Sequence, residues 1–223
     1  NELYVHASAL SKTRQRLAQT LTPRVQQELN ELQLENFRFY IQVVPRSDGQ
    51  EMHVEALDAN GIDDVQFLAA PNGSQEPLPL ARVASGGELS RLMLALKTVV
   101  STGAFTVQDE SATIVFDEID TGVSGQSALS VAEKLHHLSR HHQILCISHQ
   151  PQVVAMADHH YWVYKEGGTA GAASRVQSLD WEARIQALAR MMEGERLSDL
   201  TLAHAENMLR RSQEQKARME KEG

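Results

Sequence analysis

At 223 residues the chain is long enough for one sizeable core with a small appended lobe. Its 42% hydrophobic and 22% charged residues read as a globular protein, and no apolar run approaches the roughly 18 residues of a membrane span. The net charge of -8 argues against a surface that is basic throughout, and one cysteine excludes an internal disulfide framework and fits a reducing cytosol.

The chain lacks an initiator methionine and a basic-then-apolar leader, and it begins inside a helical pattern, as a piece of something longer would. Leu3, Leu10 and Leu17 recur every seven residues, with Leu21 four later, which predicts an amphipathic or coiled-coil helix. Thr22-Pro23 reads as a cap with proline at the first helical position, opening a second helix that carries Val25, Leu29 and Leu32. Phe37, Phe39, Ile41 and Val43 alternate with polar or amphipathic residues, a half-buried strand. A second strand is expected around Met52 to Leu57, a turn at Asn60-Gly61, and a third strand through Val65, Phe67 and Ala69. These make an antiparallel meander. Three prolines with Asn72 and Gly73 predict a loop over 71–80.

Ser85-Gly86-Gly87-Glu88 then leads into a helix whose apolar face is Leu89, Leu92, Met93, Leu96, Val99 and Val100. Ser85 is a natural N-cap, and a glycine-led helix N-terminus offers N–H groups and a positive dipole end to an anion. An ordinary capped helix is the plain alternative. Ala112 to Phe116 reads as a buried strand that stops abruptly at Asp117-Glu118, with Asp120 and Gly122 just beyond. Adjacent carboxylates at a strand end need partners or a metal, unless they form a solvated acidic turn. Ser124 to Ser139 is helical, and Gln143 to Ile147 is a second apolar strand ending at Ser148-His149. Strand, helix, strand makes a βαβ unit with parallel strands, whose ligands sit beyond the carboxyl ends. Asp117, Glu118 and His149 should therefore share one rim, within one or two strand spacings of ~4.8 Å.

Beyond it, Pro151 starts a short helix, Tyr161 to Lys165 pairs with Arg175 to Leu179, Asp180 and Ser198 cap two more helices, and Gly194 ends the first. Cys146, between Leu145 and Ile147, is expected to be a buried strand residue. Trp162 and Trp181 read as core anchors, and the paired histidines near helix ends read as surface groups rather than metal ligands. Residues 210–223 are charged and apolar-poor, so a disordered tail is expected. Arg91 reads as a surface helix residue or an interface sensor.

Taken together, the signature-like Ser85-Gly86-Gly87-Glu88, the strand ending in Asp117-Glu118 and the later His149 resemble the ABC ATPase series. Asp-Glu-Ile-Asp narrows this to the SMC branch, since transporter ATPases usually carry proline where Ile119 stands. Within it, Val83 to Arg91, Phe116 to Gly125, Ile147 to Gln152, Ala157 to Tyr161 and Ala187 to Gly194 resemble the RecN family of bacterial double-strand-break repair ATPases. Gln150 departs from the family's more usual leucine. No Gly-x-x-x-x-Gly-Lys followed by Ser or Thr occurs, so the loop that cradles phosphates is absent from the chain.

The resemblance implies an α/β fold, the C-terminal half of an ABC/SMC-type head with a mostly parallel sheet, flanking helices and the antiparallel meander. Residues 1–33 would end a coiled-coil arm, and 34–209 would be the C-terminal lobe of the head. It implies ATP and Mg²⁺ as cofactors. Asp117 would hold Mg²⁺ through a water, Glu118 would deprotonate the attacking water, and His149 would contact the γ-phosphate. Ser85, Gly86, Gly87 and Glu88 would bind ATP held on an opposite head, with Asp120 crossing that interface. The implied partners are the N-terminal half of the same head, a second head in a homodimer, and DNA, with no membrane. The implied location is the bacterial cytoplasm, at the nucleoid. Two rivals share the pattern: a transporter ATPase subunit, and an interaction-only domain that is inert by itself.

Overall fold

The computed structural model describes residues 2–46, 57–73, 76–83, 86–102, 113–166 and 173–222. They fall into two compact units, 1–108 and 109–223.

In the first unit, helix α1 runs unbroken from Glu2 to Glu31 with Pro23 inside it. The break expected at Thr22-Pro23 does not occur. Pro23 is exposed, so the hydrogen bond it cannot donate is lost on the wet side. The flanking Ala18, Val25 and Leu29 are buried and carry the helix through. The buried stripe is Ala7, Ser11, Ala18, Val25 and Leu29, whereas the heptad leucines Leu3 and Leu10 are exposed. Small residues let α1 lie close to its neighbours. Gln33 closes the helix at φ 60, with Leu34 N–H donating to Leu29 O at 2.9 Å and Leu34 packing inside. That is a Schellman ending with glutamine at the left-handed position.

Strands β1 (Arg38–Pro45) and β2 (Asp63–Ala70) pair antiparallel from Arg38↔Ala70 to Pro45↔Asp63. Phe37 and Phe39 are buried as their alternation requires. The amide of Gln26 bonds both ends of that segment, donating to Phe37 O and accepting from Phe39 N–H, which ties α1 to β1. The strand expected around Met52 falls on residues 51–56, outside those described, and Leu57 is not in a strand. The loop expected over 71–80 contains a short β3 (Leu78–Pro79), paired to Leu68 and Ala69 at the sheet edge, where a proline is tolerated. After a 3-10 turn at Leu80–Arg82, helix α2 spans Gly86–Thr102. Its buried residues include Arg91, Leu92, Leu94, Ala95, Thr98 and Val99, while Met93 is exposed. Arg91 is thus not a surface residue.

In the second unit, β4 (Thr113–Phe116) and β5 (Gln143–Cys146) are parallel, in register Thr113↔Gln143 to Phe116↔Cys146, and joined by α3 (Gln126–Ser139). This is the expected βαβ unit. A short α4 (Pro151–Met156) precedes the antiparallel hairpin β6 (Tyr161–Glu166) and β7 (Ala173–Ser178). Helices α5 (Trp181–Glu193) and α6 (Asp199–Glu222) close the chain. Asp180 caps α5 through Ala183 N–H, and Ser198 accepts from Thr201 N–H at the start of α6. Ala155, Ile185, Leu188, Ala189, Ala205 and Leu209 form one core among α4, α5 and α6.

Three expectations fail here. The tail from Arg210 is helical to Glu222, because its polar groups are used: Lys216 Nζ bonds Asp158 at 2.6 Å, Gln215 bonds Glu133, and Ser212 is buried. Trp162 is half-buried and not a core anchor, whereas Trp181, also half-buried, does pack against the core of α4, α5 and α6; each has a guanidinium over its ring, from Arg190 and Arg210. Cys146 is exposed, as are Val115, Leu145 and Ile147, since the described parallel sheet has two strands and leaves apolar residues uncovered.

Candidate functional site

The site begins where β4 stops. Ile147 N–H donates to Phe116 O at 2.9 Å, so the parallel ladder continues one bond past β5. That bond sets the 147–150 segment beside the turn that follows Phe116. In that turn Ile119 is fully buried and Asp120 is 1% exposed, whereas Asp117, Glu118 and His149 are exposed. The inward Ile119 anchors the turn, and Thr121 N–H closes it on Glu118 O at 3.1 Å. Glu118 stands at φ 57, a left-handed conformation that costs a non-glycine residue energy and that clusters at functional positions.

Asp120 is the hub. Its Oδ2 accepts from Ser148 Oγ at 2.6 Å, from His149 N–H at 2.9 Å and from Gln150 N–H at 3.1 Å. His149 Nδ1 lies 3.3 Å from the same oxygen. Asp120 was expected to cross to another molecule, and a side chain this enclosed and this occupied points inward instead. Ser148 is the residue that the sequence reading did not single out. Its signal was available, as a hydroxyl beside the histidine at the end of an apolar strand.

The rim concentrates negative charge. Burial of the Cys146 thiol, followed by the Asp120 and Asp117 carboxylates, pushes its pKa up to about 12, although the residue as a whole is exposed. Such a thiol stays protonated and unreactive at neutral pH. The same field attracts a cation, and exposed carboxylates are the hard oxygen donors that Mg²⁺ takes. Among the described residues no group of three or more His, Cys, Asp or Glu side chains is placed to hold a metal by itself.

The glycine-led turn belongs to the first unit. Ser85 lies outside the described residues, Gly86 is exposed, Gly87 is buried and Glu88 is half-buried. Glu88 lines an open depression of about 330 Å³ with Gln33, Leu34, Asn36, Phe37 and Asn72 among its walls. The structure thus brings together Asp117, Glu118, Asp120 and His149 in one unit, and holds Gly86, Gly87 and Glu88 in the other.

No family model matches the chain. A DNA repair protein RecN of Halalkalibacterium halodurans is 39% identical over 208 residues, 93% of this chain and 35% of that protein. The RecN of Treponema pallidum is 41% identical over 207 residues, 92% of this chain and 35% of its own length. The chain therefore spans about a third of the curated relatives it matches. Among solved structures, an Smc head domain with a coiled coil and joint from Pyrococcus yayanosii superposes with a TM-score of 0.50 at 18% identity, covering 80% of this chain and 30% of that one. That likeness concerns the fold alone, which is that of an SMC head. Over the span they share, the chain is thus similar in sequence to RecN DNA repair proteins from several bacteria.

Proposed function

We propose that this chain is the C-terminal part of an ATP-hydrolysing head in a RecN-like DNA repair protein, with residues 34–209 as its catalytic lobe. What supports the reading is the pairing of β4 with β5, after whose parallel ends Asp117-Glu118 and His149 follow, with His149 N–H bonded to Asp120 of the same turn. Glu118, strained and exposed, is the base that takes a proton from the attacking water. Asp117 would help to hold Mg²⁺, and the ion would supply charge neutralisation of the phosphates as they separate. His149 contacts the terminal phosphate. Gly86, Gly87 and Glu88, with Ser85, contact a nucleotide on a second head, so that ATP joins two heads and hydrolysis parts them. The phosphate loop missing from this sequence comes from an N-terminal half of the same head. DNA is the substrate on which the cycle acts, in the bacterial cytoplasm.

The test is Glu118→Gln in the protein that carries the whole head. Loss of a general base costs on the order of 10²–10⁴-fold in turnover. ATP-bound dimers should accumulate, as seen by size-exclusion chromatography with light scattering. Unchanged turnover removes Glu118 from the mechanism. The 223-residue chain by itself should release no phosphate from ATP, and metal-dependent hydrolysis by it would overturn the division of labour between two halves.

A further inference from the structure

Asp120 has no assigned work within the catalytic rim once it is found to point inward. Its enclosure is nearly complete, yet among the described residues no lysine or arginine bonds it, and its bonding partners come from the 148–150 segment. Three neutral donors and one imidazole nitrogen converge on a single oxygen, Oδ2. An ionised carboxylate is acceptor-only, so every group facing it must present a hydrogen. Nδ1 of His149 lies 3.3 Å from that oxygen, an ion-pair separation that favours a proton on the nitrogen facing it. Fixing that nitrogen leaves Nε2, on the opposite edge of the ring, for a ligand, and the ring remains 70% exposed to meet one.

We infer that Asp120 is the positioning residue of this site: it sets the 148–150 segment and holds His149 with Nδ1 inward, so that Nε2 meets the anionic group of the substrate. This rests on the proposed role of His149 and adds the device that makes the role possible. A histidine on a free loop would spread over several rotamers and two tautomers, and only some could reach a phosphate oxygen. Asp120 removes that choice before the nucleotide arrives. Ser148 completes the device by donating the shortest of the bonds, at 2.6 Å, while its oxygen also accepts from Gln150 N–H at 3.1 Å. The left-handed Glu118 and the carboxylate that orients His149 sit two residues apart, so one turn positions both groups.

The test is a double-mutant cycle on ATP hydrolysis by the protein carrying the complete head. His149→Gln should lower kcat, and Asp120→Asn should lower it by about tenfold to a hundredfold with KM little changed, the loss seen when an orienting carboxylate is removed from a histidine. The double variant should be no slower than His149→Gln, because Asp120 acts through the ring. Wild-type kcat in Asp120→Asn, or losses that multiply in the double variant, would overturn the inference and leave the reading of His149 intact. A silent His149→Gln would overturn both. Nitrogen-15 NMR of the His149 ring supplies a readout that needs no variant to fold. The wild-type proton should sit on Nδ1, and a proton on Nε2 alone would reject the assignment.

Discussion

Two buried aspartates, one in each unit, show how differently an enclosed acid can be used. Asp63 starts β2 with its side chain fully covered and pairs with Arg14 of α1 at 3.0 Å, a guanidinium that is itself 26% exposed. Asp120 is as deeply enclosed, and among the described residues its bonding partners are neutral donors, with one imidazole nitrogen beside them. In both, one carboxylate oxygen takes the bonds, and the buried Oδ1 has no partner among the described residues. The first acid has a permanent counter-charge and locks a helix onto a sheet. The second holds a loop segment and lies 3.3 Å from one ring nitrogen of His149. A fixed cation serves the first acid, whereas directed hydrogen bonds serve the second.

Asp63→Ala tests the contrast with the largest expected loss of stability. Removing one member of a buried pair costs about 3 kcal/mol, read as a lower urea midpoint. Replacing both members, Arg14→Met with Asp63→Leu, should recover most of it, since a well-packed apolar pair substitutes for a buried ion pair. No equivalent double replacement should restore turnover at Asp120, where the bonds themselves are the function. Asp120→Asn should cost about 1–2 kcal/mol, the scale of weakened charge-assisted hydrogen bonds. An Asp120 loss exceeding that of Asp63 would make it the main structural lock and collapse the comparison.

Gly61→Ala comes next, at about 1–2 kcal/mol by thermal unfolding. Gly61 stands at φ 99 in the turn before Asp63, and an added Cβ would lie 3.2 Å from Leu10 Cδ2 of α1. An unchanged midpoint would show that the turn is not drawn against α1.

The second unit should also yield first to acid. His136 is pushed below its ordinary value of 6.5 by burial, with Asp158 and Glu220 opposing and Lys216 and Arg140 reinforcing. Burial and then Arg184 depress His160 in the same direction. A histidine depressed in the folded state binds fewer protons than its unfolded counterpart, so stability falls as pH drops below 6.5 toward the folded values. Hydrogen exchange should show α3 and α6 loosening in that window ahead of α1. Equal acid sensitivity of the two units would contradict the assignment. The smallest effect belongs to Lys216→Ala: Asp158 is mostly exposed, so the pair should contribute less than about 1 kcal/mol.

Much of the site was legible in the residues, because parallel strands force the chemistry to one end. An apolar run stopping at Asp117-Glu118, and another at Ser148-His149, separated by one helix, suffices to bring the two ends together. The direction of Asp120 was not legible, since three acids within four residues look alike in one dimension. Only the buried Ile119 and the left-handed turn at Glu118 decide which of them turns inward. The α1 stripe was misread for a related reason. Leucines advertise a heptad, but Ala7, Ser11 and Ala18 form the buried face, and small residues carry little pattern.

By itself the sequence determined the strand ends, the βαβ connection and the caps at Asp180 and Ser198, because these follow from local chemistry and spacing. Tertiary structure alone decided that α1 continues through Pro23, that the charged end of the chain is helical, and that Asp120 lies enclosed against the 148–150 segment. Each of those outcomes depends on what lies across the fold from the residue: a core holding both sides of a proline, polar partners for a polar helix, and a cluster of donors for a buried carboxylate.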